Sequence, residues 1–143
     1  MKVNLILQAR MNSARLPGKV LKDINGVSVL ETIFKRLFNC KMLDNIIVAT
    51  TTNNSDDIIA DVCSKNNINY YRGSENNVLD RFYQAAKISE TDIVVMCTAD
   101  CPLLDFKIVD DMIDKFIKNN YIHYCHEYYG GNMGFPDGFD VNI

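Results

Sequence analysis

The stretch "VNLILQARMNSARLPGK", Val3 to Lys19, decides the reading of the whole chain. Its first part, Val3–Leu7, is short, largely apolar and rich in branched residues, as a strand covered on both faces requires. Its second part, Gln8–Lys19, concentrates Arg10, Arg15 and Lys19 in one loop and ends on the turn-forming pair Pro17-Gly18. The chain as a whole carries a formal charge of −3. A cationic loop directly after the first core strand of an acidic protein is a candidate local anion site.

Outward from this stretch, strands and helices alternate. Further strands are expected at Ile46–Thr51, Asn69–Arg72, Ile93–Cys97 and Tyr121–Cys125. Four apolar stripes at three-four spacing separate them. The first is Leu30, Ile33, Phe34, Leu37 and Phe38; the second is Ile58, Ile59, Val62 and Cys63, behind Ser55 as the expected N-cap. Leu79, Phe82, Tyr83 and Ala86 form the third. Ile108, Val109, Met112, Ile113, Phe116 and Ile117 form the fourth, capped by Asp105. Such alternation predicts an α/β fold with a mostly parallel sheet and helices on both faces, a three-layer, Rossmann-like sandwich. No repeat or linker divides residues 1–143, so one domain is expected. The glycine-rich segment "EYYGGNMGFPDGFDVNI" breaks the rhythm and leads into a last strand.

The composition excludes several classes. With 143 residues, 48% hydrophobic and 23% charged, the chain is an ordinary globular sequence large enough for a core. The acidic balance argues against general nucleic-acid or membrane-surface binding, and no apolar run reaches the length of a membrane span. The five cysteines form no C-x-x-C pair, and Cys63 and Cys97 fall inside apolar segments, which suits reduced thiols and a cytoplasmic setting. His123, Cys125 and His126 lack the usual zinc-ligand spacing; an alternating strand is the better reading.

In an open parallel sheet, ligands bind beyond the carboxyl ends of the strands, where the strand order reverses. For an order 3-2-1-4 that point lies between the first and fourth strands. The loop after the first is Gln8–Lys19; the loop after the fourth is "TADCPLLD", Thr98 to Asp105. One brings cations and the other a carboxylate, Asp100. Nucleoside triphosphate chemistry needs both, because phosphates require donors and Mg²⁺ is held by one or two carboxylates with water. Neither a Walker P-loop nor G-x-G-x-x-G occurs, which disfavours a kinase or dehydrogenase. Against the site stand two plain alternatives: a charged loop that is merely solvated, and an aspartate that serves as turn former or helix cap.

The motifs "LILQARMNSARLPGKVLKDINGVSVLETIFKRL", "ATTTNNSDD", "YRGSENNVLDRFYQAA", "TADCPLLD" and "FPDGFDVNI" occur in that order. Together they resemble the cytidylyltransferases that activate acidic sugars, the acylneuraminate and 3-deoxy-manno-octulosonate enzymes, and most of all the spore coat polysaccharide biosynthesis branch. The resemblance runs over essentially the whole chain. It implies a nucleotide-diphosphosugar transferase fold of the glycosyltransferase A type, CTP as nucleotide, Mg²⁺ as cofactor, a sugar acceptor and a possible homodimer. Arg10 and Lys19 would grip the triphosphate, with Gln8, Ala9, Met11, Asn12, Ser13, Arg15 and Thr98 along the nucleotide. Asp100 would hold the metal. Asn77 and Asp80 would face the nucleotide, and Arg72, Ser74 and Arg81 the acceptor. From the residues alone, Asp80 and Arg81 read equally as a solvated helix face with an acid in its first turn. Asp137 and Asp140 belong to the same pattern, with a second metal ligand as one option. "TAD" stands where the family usually has "TGD", with the carboxylate kept.

Family domains are longer, so the resemblance implies that these residues are the N-terminal and central part of a longer domain. Its remainder would add acceptor contacts, dimer contacts and often a further acidic metal ligand. The expected reaction is transfer of a nucleotide to a sugar or sugar acid with release of pyrophosphate, for surface polysaccharide or glycoconjugate synthesis. A nucleotide-binding module without turnover, in a regulatory or assembly role, is the other expectation.

Overall fold

The structure is a computed structural model that describes residues 1–120, 125–126 and 141–143. Strands β1 (Val3–Gln8), β4 (Asn45–Thr51), β5 (Asn69–Gly73) and β6 (Ile93–Thr98) lie in the order β5-β4-β1-β6, all parallel. Two-residue strands β7 (Cys125–His126) and β8 (Val141–Asn142) extend the sheet on the β6 side, with β8 antiparallel to both neighbours. The expected 3-2-1-4 order is therefore present, and it reverses between β1 and β6.

Side-chain alternation along β1 divides the core. Val3, Leu5 and Leu7 face a layer built from α1 (Val29–Leu37), α2 (Asp57–Lys65) and α4 (Phe106–Lys118), which contribute Leu30, Phe34, Ile59, Cys63, Val109 and Ile113. Ile6 faces the other way and joins Ile47 and Ala49 under Phe82 and Ala85 of α3 (Val78–Ile88). Helices thus cover both faces of a mostly parallel sheet. Among the described residues, no helix is long and apolar enough to cross a membrane.

The thiols fit this interior. Cys40 and Cys63 are free thiols, and burial pushes Cys63 up to about 12. Burial, with Asp110 and Asp105 nearby, does the same for Cys40. Of the strand expected over Tyr121–Cys125, Cys125 falls in β7; residues 121–124, which include His123, lie outside the described residues, as do Asp137 and Asp140.

Three local expectations need correction. Ser55 does not cap the second helix: it sits in a 3₁₀ turn, Asn54–Asp56, and α2 starts at Asp57. Ile58 and Phe38, each expected in a buried stripe, are exposed. On α3, Leu79 and Tyr83 are exposed while Arg81, Phe82 and Ala85 are buried, so the buried stripe lies around the helix from its expected position. Hydrophobicity placed Leu79 and Tyr83 inward; packing on this face instead uses Phe82 and Ala85 over small strand residues such as Ala49. A hairpin of β2 (Asp23–Ile24) and β3 (Val27–Ser28) was not anticipated, although Asn25-Gly26 signals it. Both turn residues have positive φ, 54° and 84°.

Helix α1 begins with a full capping box. Ser28 Oγ accepts from the Glu31 backbone N–H at 3.2 Å, and the Glu31 carboxylate accepts from the Ser28 N–H at 3.2 Å and hydroxyl at 2.6 Å. These bonds hold the Glu31 carboxyl below its ordinary value of 4.5. A depressed carboxyl stabilises the fold above its unfolded pKa, and that contribution disappears as the pH falls through the folded value. Ser28→Ala is expected to cost about 1 kcal/mol at neutral pH by urea denaturation. The gap between variant and wild type should narrow as the pH falls from 4.5 through the lower folded value, where the carboxylate takes up its proton.

Candidate active site

Strand register puts the two charged loops side by side before any side chain is considered. Gln8 pairs with Thr98 as the last residues of β1 and β6, and the Ala99 N–H donates to the Gln8 carbonyl at 2.9 Å. Each chain then leaves the sheet at its carboxyl edge. Between them lies a crevice of about 260 Å³, lined by Gln8, Arg10, Ser13, Ala14, Arg15, Lys19, Val20, Thr98, Ala99 and Asp100.

The cationic loop folds back on itself. The Gly18 N–H donates to the Met11 carbonyl at 2.9 Å, closing the loop across Pro17-Gly18. Gly18 has φ +69°, a left-handed conformation in which a side chain is strained, and a Cβ there would meet Met11 Cε at 3.3 Å. Past this turn, Lys19 enters a 3₁₀ turn anchored by buried Val20, so its side chain returns to the crevice.

Lys19 Nζ donates to Asp100 Oδ2 at 2.5 Å, across eighty-one positions of sequence. Thr98 Oγ1 donates to the other carboxylate oxygen at 2.6 Å. Burial pushes the Asp100 carboxyl up, but the hydrogen bonds from Lys19 and Thr98 and the Lys19 charge outweigh it and hold the group below its ordinary value. Asp100 is therefore ionised at neutral pH. A single carboxylate facing a cavity large enough for phosphate oxygens and water suits Mg²⁺, which needs few protein ligands. Among the described residues there is no group of three or more His, Cys, Asp or Glu placed to hold a metal by themselves.

The crevice thus collects Gln8, Arg10, Ser13, Arg15, Lys19, Thr98 and Asp100 of the expected residues. The others lie elsewhere. Ala9 is buried, with its N–H on the Ala49 carbonyl. Met11 packs against the core, and Asn12 donates to Glu75 Oε1 at 3.3 Å. Asn77 caps α3 by accepting from the Asp80 N–H, while Asp80 accepts from Gln84. Ser74 Oγ accepts from the Asn76 N–H. Arg72 uses its guanidinium on the Thr51 and Asn53 carbonyls and on Asp57, at 2.7–2.9 Å. Arg81 is fully buried, so the solvated-face reading does not hold for it; its Nη1 donates to the Ser74 and Glu75 carbonyls.

A residue that sequence reasoning missed is Asp56. It ends the 3₁₀ turn before α2, is 1% exposed, and makes no side-chain cap for that helix. Its Oδ1 accepts from the Met11 N–H at 2.8 Å and its Oδ2 from the Thr51 hydroxyl, so it pins the cationic loop just after Arg10. No local signal separates such an aspartate from an ordinary first-turn acid. A smaller, mainly apolar recess, lined by Val78, Phe82, Met96, Cys97 and Asn142, opens beside Gln8 and Thr98.

The chain is 33% identical over 141 residues to the spore coat polysaccharide biosynthesis protein SpsF of Bacillus subtilis, covering 90% of this chain and 59% of that one. It is 32% identical over 126 residues to 3-deoxy-manno-octulosonate cytidylyltransferase 2 of Hydrogenovibrio crunogenus, covering 85% and 49%. A solved cytidylyltransferase from Leptospira borgpetersenii superposes with a TM-score of 0.92 at 37% identity, over 99% of this chain and 59% of that chain. The chain spans about half the length of the curated relatives it matches. Residues 4–132 match the family model for cytidylyltransferases, and the chain belongs to that family.

Proposed function

We propose that this protein couples CTP to a sugar or sugar acid, with release of pyrophosphate, in the synthesis of a surface polysaccharide or glycoconjugate. The observation that carries the proposal is the meeting of Lys19 and Asp100 in one crevice, which joins a phosphate-binding loop to an acid able to take a divalent ion. Membership of the cytidylyltransferase family supports the nucleotide.

In this reading a sugar hydroxyl attacks the α-phosphorus of CTP. The new O–P bond forms as the bond to pyrophosphate breaks in line, and the hydroxyl proton passes to solvent water. Negative charge builds on the phosphate oxygens, so position and charge carry the catalysis. Arg10, Arg15 and Lys19 line the space where β- and γ-phosphates would lie, and Arg10 and Lys19 stabilise the departing pyrophosphate. Lys19 exchanges Asp100 for phosphate oxygens when nucleotide enters. Asp100 would then hold Mg²⁺, which would supply positive charge to the reacting phosphates. The Ser13 hydroxyl and backbone N–H groups of the turn add neutral donors.

Thermal unfolding with each of the four nucleoside triphosphates and Mg²⁺ tests the proposal. CTP is expected to raise the melting temperature most, by mass action on the native state. No shift with any of the four overturns it. A CTP shift without pyrophosphate release, across a panel of sugar acids, favours the binding module.

A further inference from the structure

Arg10, one of three cations that line the crevice, already faces a carboxylate. Arg10 Nη1 lies 3.7 Å from Glu75 Oε1. Glu75 itself does not line the crevice. It sits in the connection between β5 and α3 and is fixed from behind. Its Oε2 accepts from Asn53 Nδ2 at 2.7 Å, its Oε1 from Asn12 Nδ2 at 3.3 Å, and its carbonyl from buried Arg81 at 3.0 Å. Asn53 is held in turn, by Arg72 on its carbonyl and the Thr51 hydroxyl on its N–H. Glu75 is therefore an anchored carboxylate that reaches two residues of the cationic loop, Arg10 and Asn12.

The contacts differ in kind. Asn53 and Asn12 make hydrogen bonds to Glu75, whereas Arg10 approaches without one and keeps a side chain 42% exposed. That is a charge contact a stronger anion can break. Building on the proposed phosphate role of Arg10, we propose that Glu75 is the resident counterion of this guanidinium. It parks Arg10 at the crevice wall in the empty protein, gives it up to the phosphates, and thereby sets nucleotide affinity. The hydrogen bonds to Asn12 and Asn53 stay in place throughout, so the loop keeps its tether when the charge pair opens. Glu75 acts through Arg10 and is a positioning residue.

Glu75→Gln removes the charge and keeps an oxygen for Asn53, while its amide nitrogen donates to Asn12 once the Asn12 amide turns over, so the tether to the loop is retained. Calorimetric titration of wild type, Glu75→Gln, Arg10→Ala and the double variant, with CTP and with inorganic triphosphate, tests the proposal. Glu75→Gln is expected to bind both probes about two- to fivefold more tightly at low salt, the range of a half-exposed ion pair. The gain should shrink as salt rises, and vanish when Arg10 is already alanine. Equal or weaker binding by Glu75→Gln at unchanged melting temperature overturns the proposal. So does an undiminished gain in the Arg10→Ala background, which would reflect only a general loss of negative charge. Wild type that takes inorganic triphosphate but not CTP counts against the cytidylyl reading alone, and the counterion is then judged on triphosphate. Wild type that binds neither overturns both.

Discussion

Lys19→Ala is expected to lower pyrophosphate release from CTP and an accepting sugar acid by about 10²–10³-fold, the usual effect of removing one preorganised charge at a developing oxyanion. Lys19 is the side chain of the loop that touches Asp100, and it returns to the crevice on a turn fixed by Gly18 and Val20. Arg10 and Arg15 line the same crevice, but the hydrogen bond to Asp100 is made by Lys19, so neither arginine stands at that position. Stability should move little. The side chains of Lys19 and Asp100 are 30% and 38% exposed, and ion pairs of that kind contribute about 1 kcal/mol or less. Turnover and urea denaturation measured on the same sample separate the outcomes. Unchanged pyrophosphate release removes Lys19 from the mechanism, and a fall in stability matching the fall in rate makes it structural.

Arg81→Ala is expected to act in the opposite way, costing about 3–5 kcal/mol of stability. Arg81 is among the largest fully buried side chains. Its Nη1 bridges the carbonyls of Ser74 and Glu75, while Nε and Nη2 are buried without a hydrogen-bond partner. Burial and the charge of Arg10 lower its pKa, and the nearby carboxylates of Asp56 and Glu75 oppose that. Alanine would leave a cavity, strand the carbonyls and remove the cation that balances Asp56, an acid buried to 1% exposure. Gly73 belongs to the same arrangement. A Cβ there would fall 2.9 Å from Tyr71 Cε1 and 3.0 Å from Arg81 Cγ, so the bare backbone leaves room for the arginine stem. Arg81→Met should be milder than alanine, because it fills the volume and discards the unpartnered donors. Urea denaturation of both variants is the check. An alanine variant within about 1 kcal/mol of wild type would mean that neighbouring groups close over the space.

Arg81 also marks where sequence and structure part. In "NNVLDRFYQAA" the pattern of charges puts an acid in the first turn and an arginine after it, which reads as an exposed face. Burial reverses that reading, because α3 lies over β1 and β4 with Phe82 inward and Arg81 closing the top of the same face over Gly73. Asp56 behaves similarly. Its partner Met11 is forty-five positions away, and nothing near Asp56 in the chain announces it.

The alternation of branched strands with three-four helical stripes was by itself enough to determine a mostly parallel sheet with helices on both faces. Each strand carries its own burial pattern, and parallel neighbours need crossover helices. The 3-2-1-4 order, reversing between β1 and β6, is an expectation for doubly wound sheets that the structure bears out. That order made the two loops adjacent, and so the pairing of a cationic turn with Asp100 was legible before any coordinates. What only the tertiary structure decided was how the loop is held: Asp56 on the Met11 amide, Glu75 on Asn12 and Arg10, and Arg81 beneath them. Those contacts join three connections that follow three different strands. Periodicity reports which face of an element is buried; it carries no record of which polar group waits on the far side of a loop.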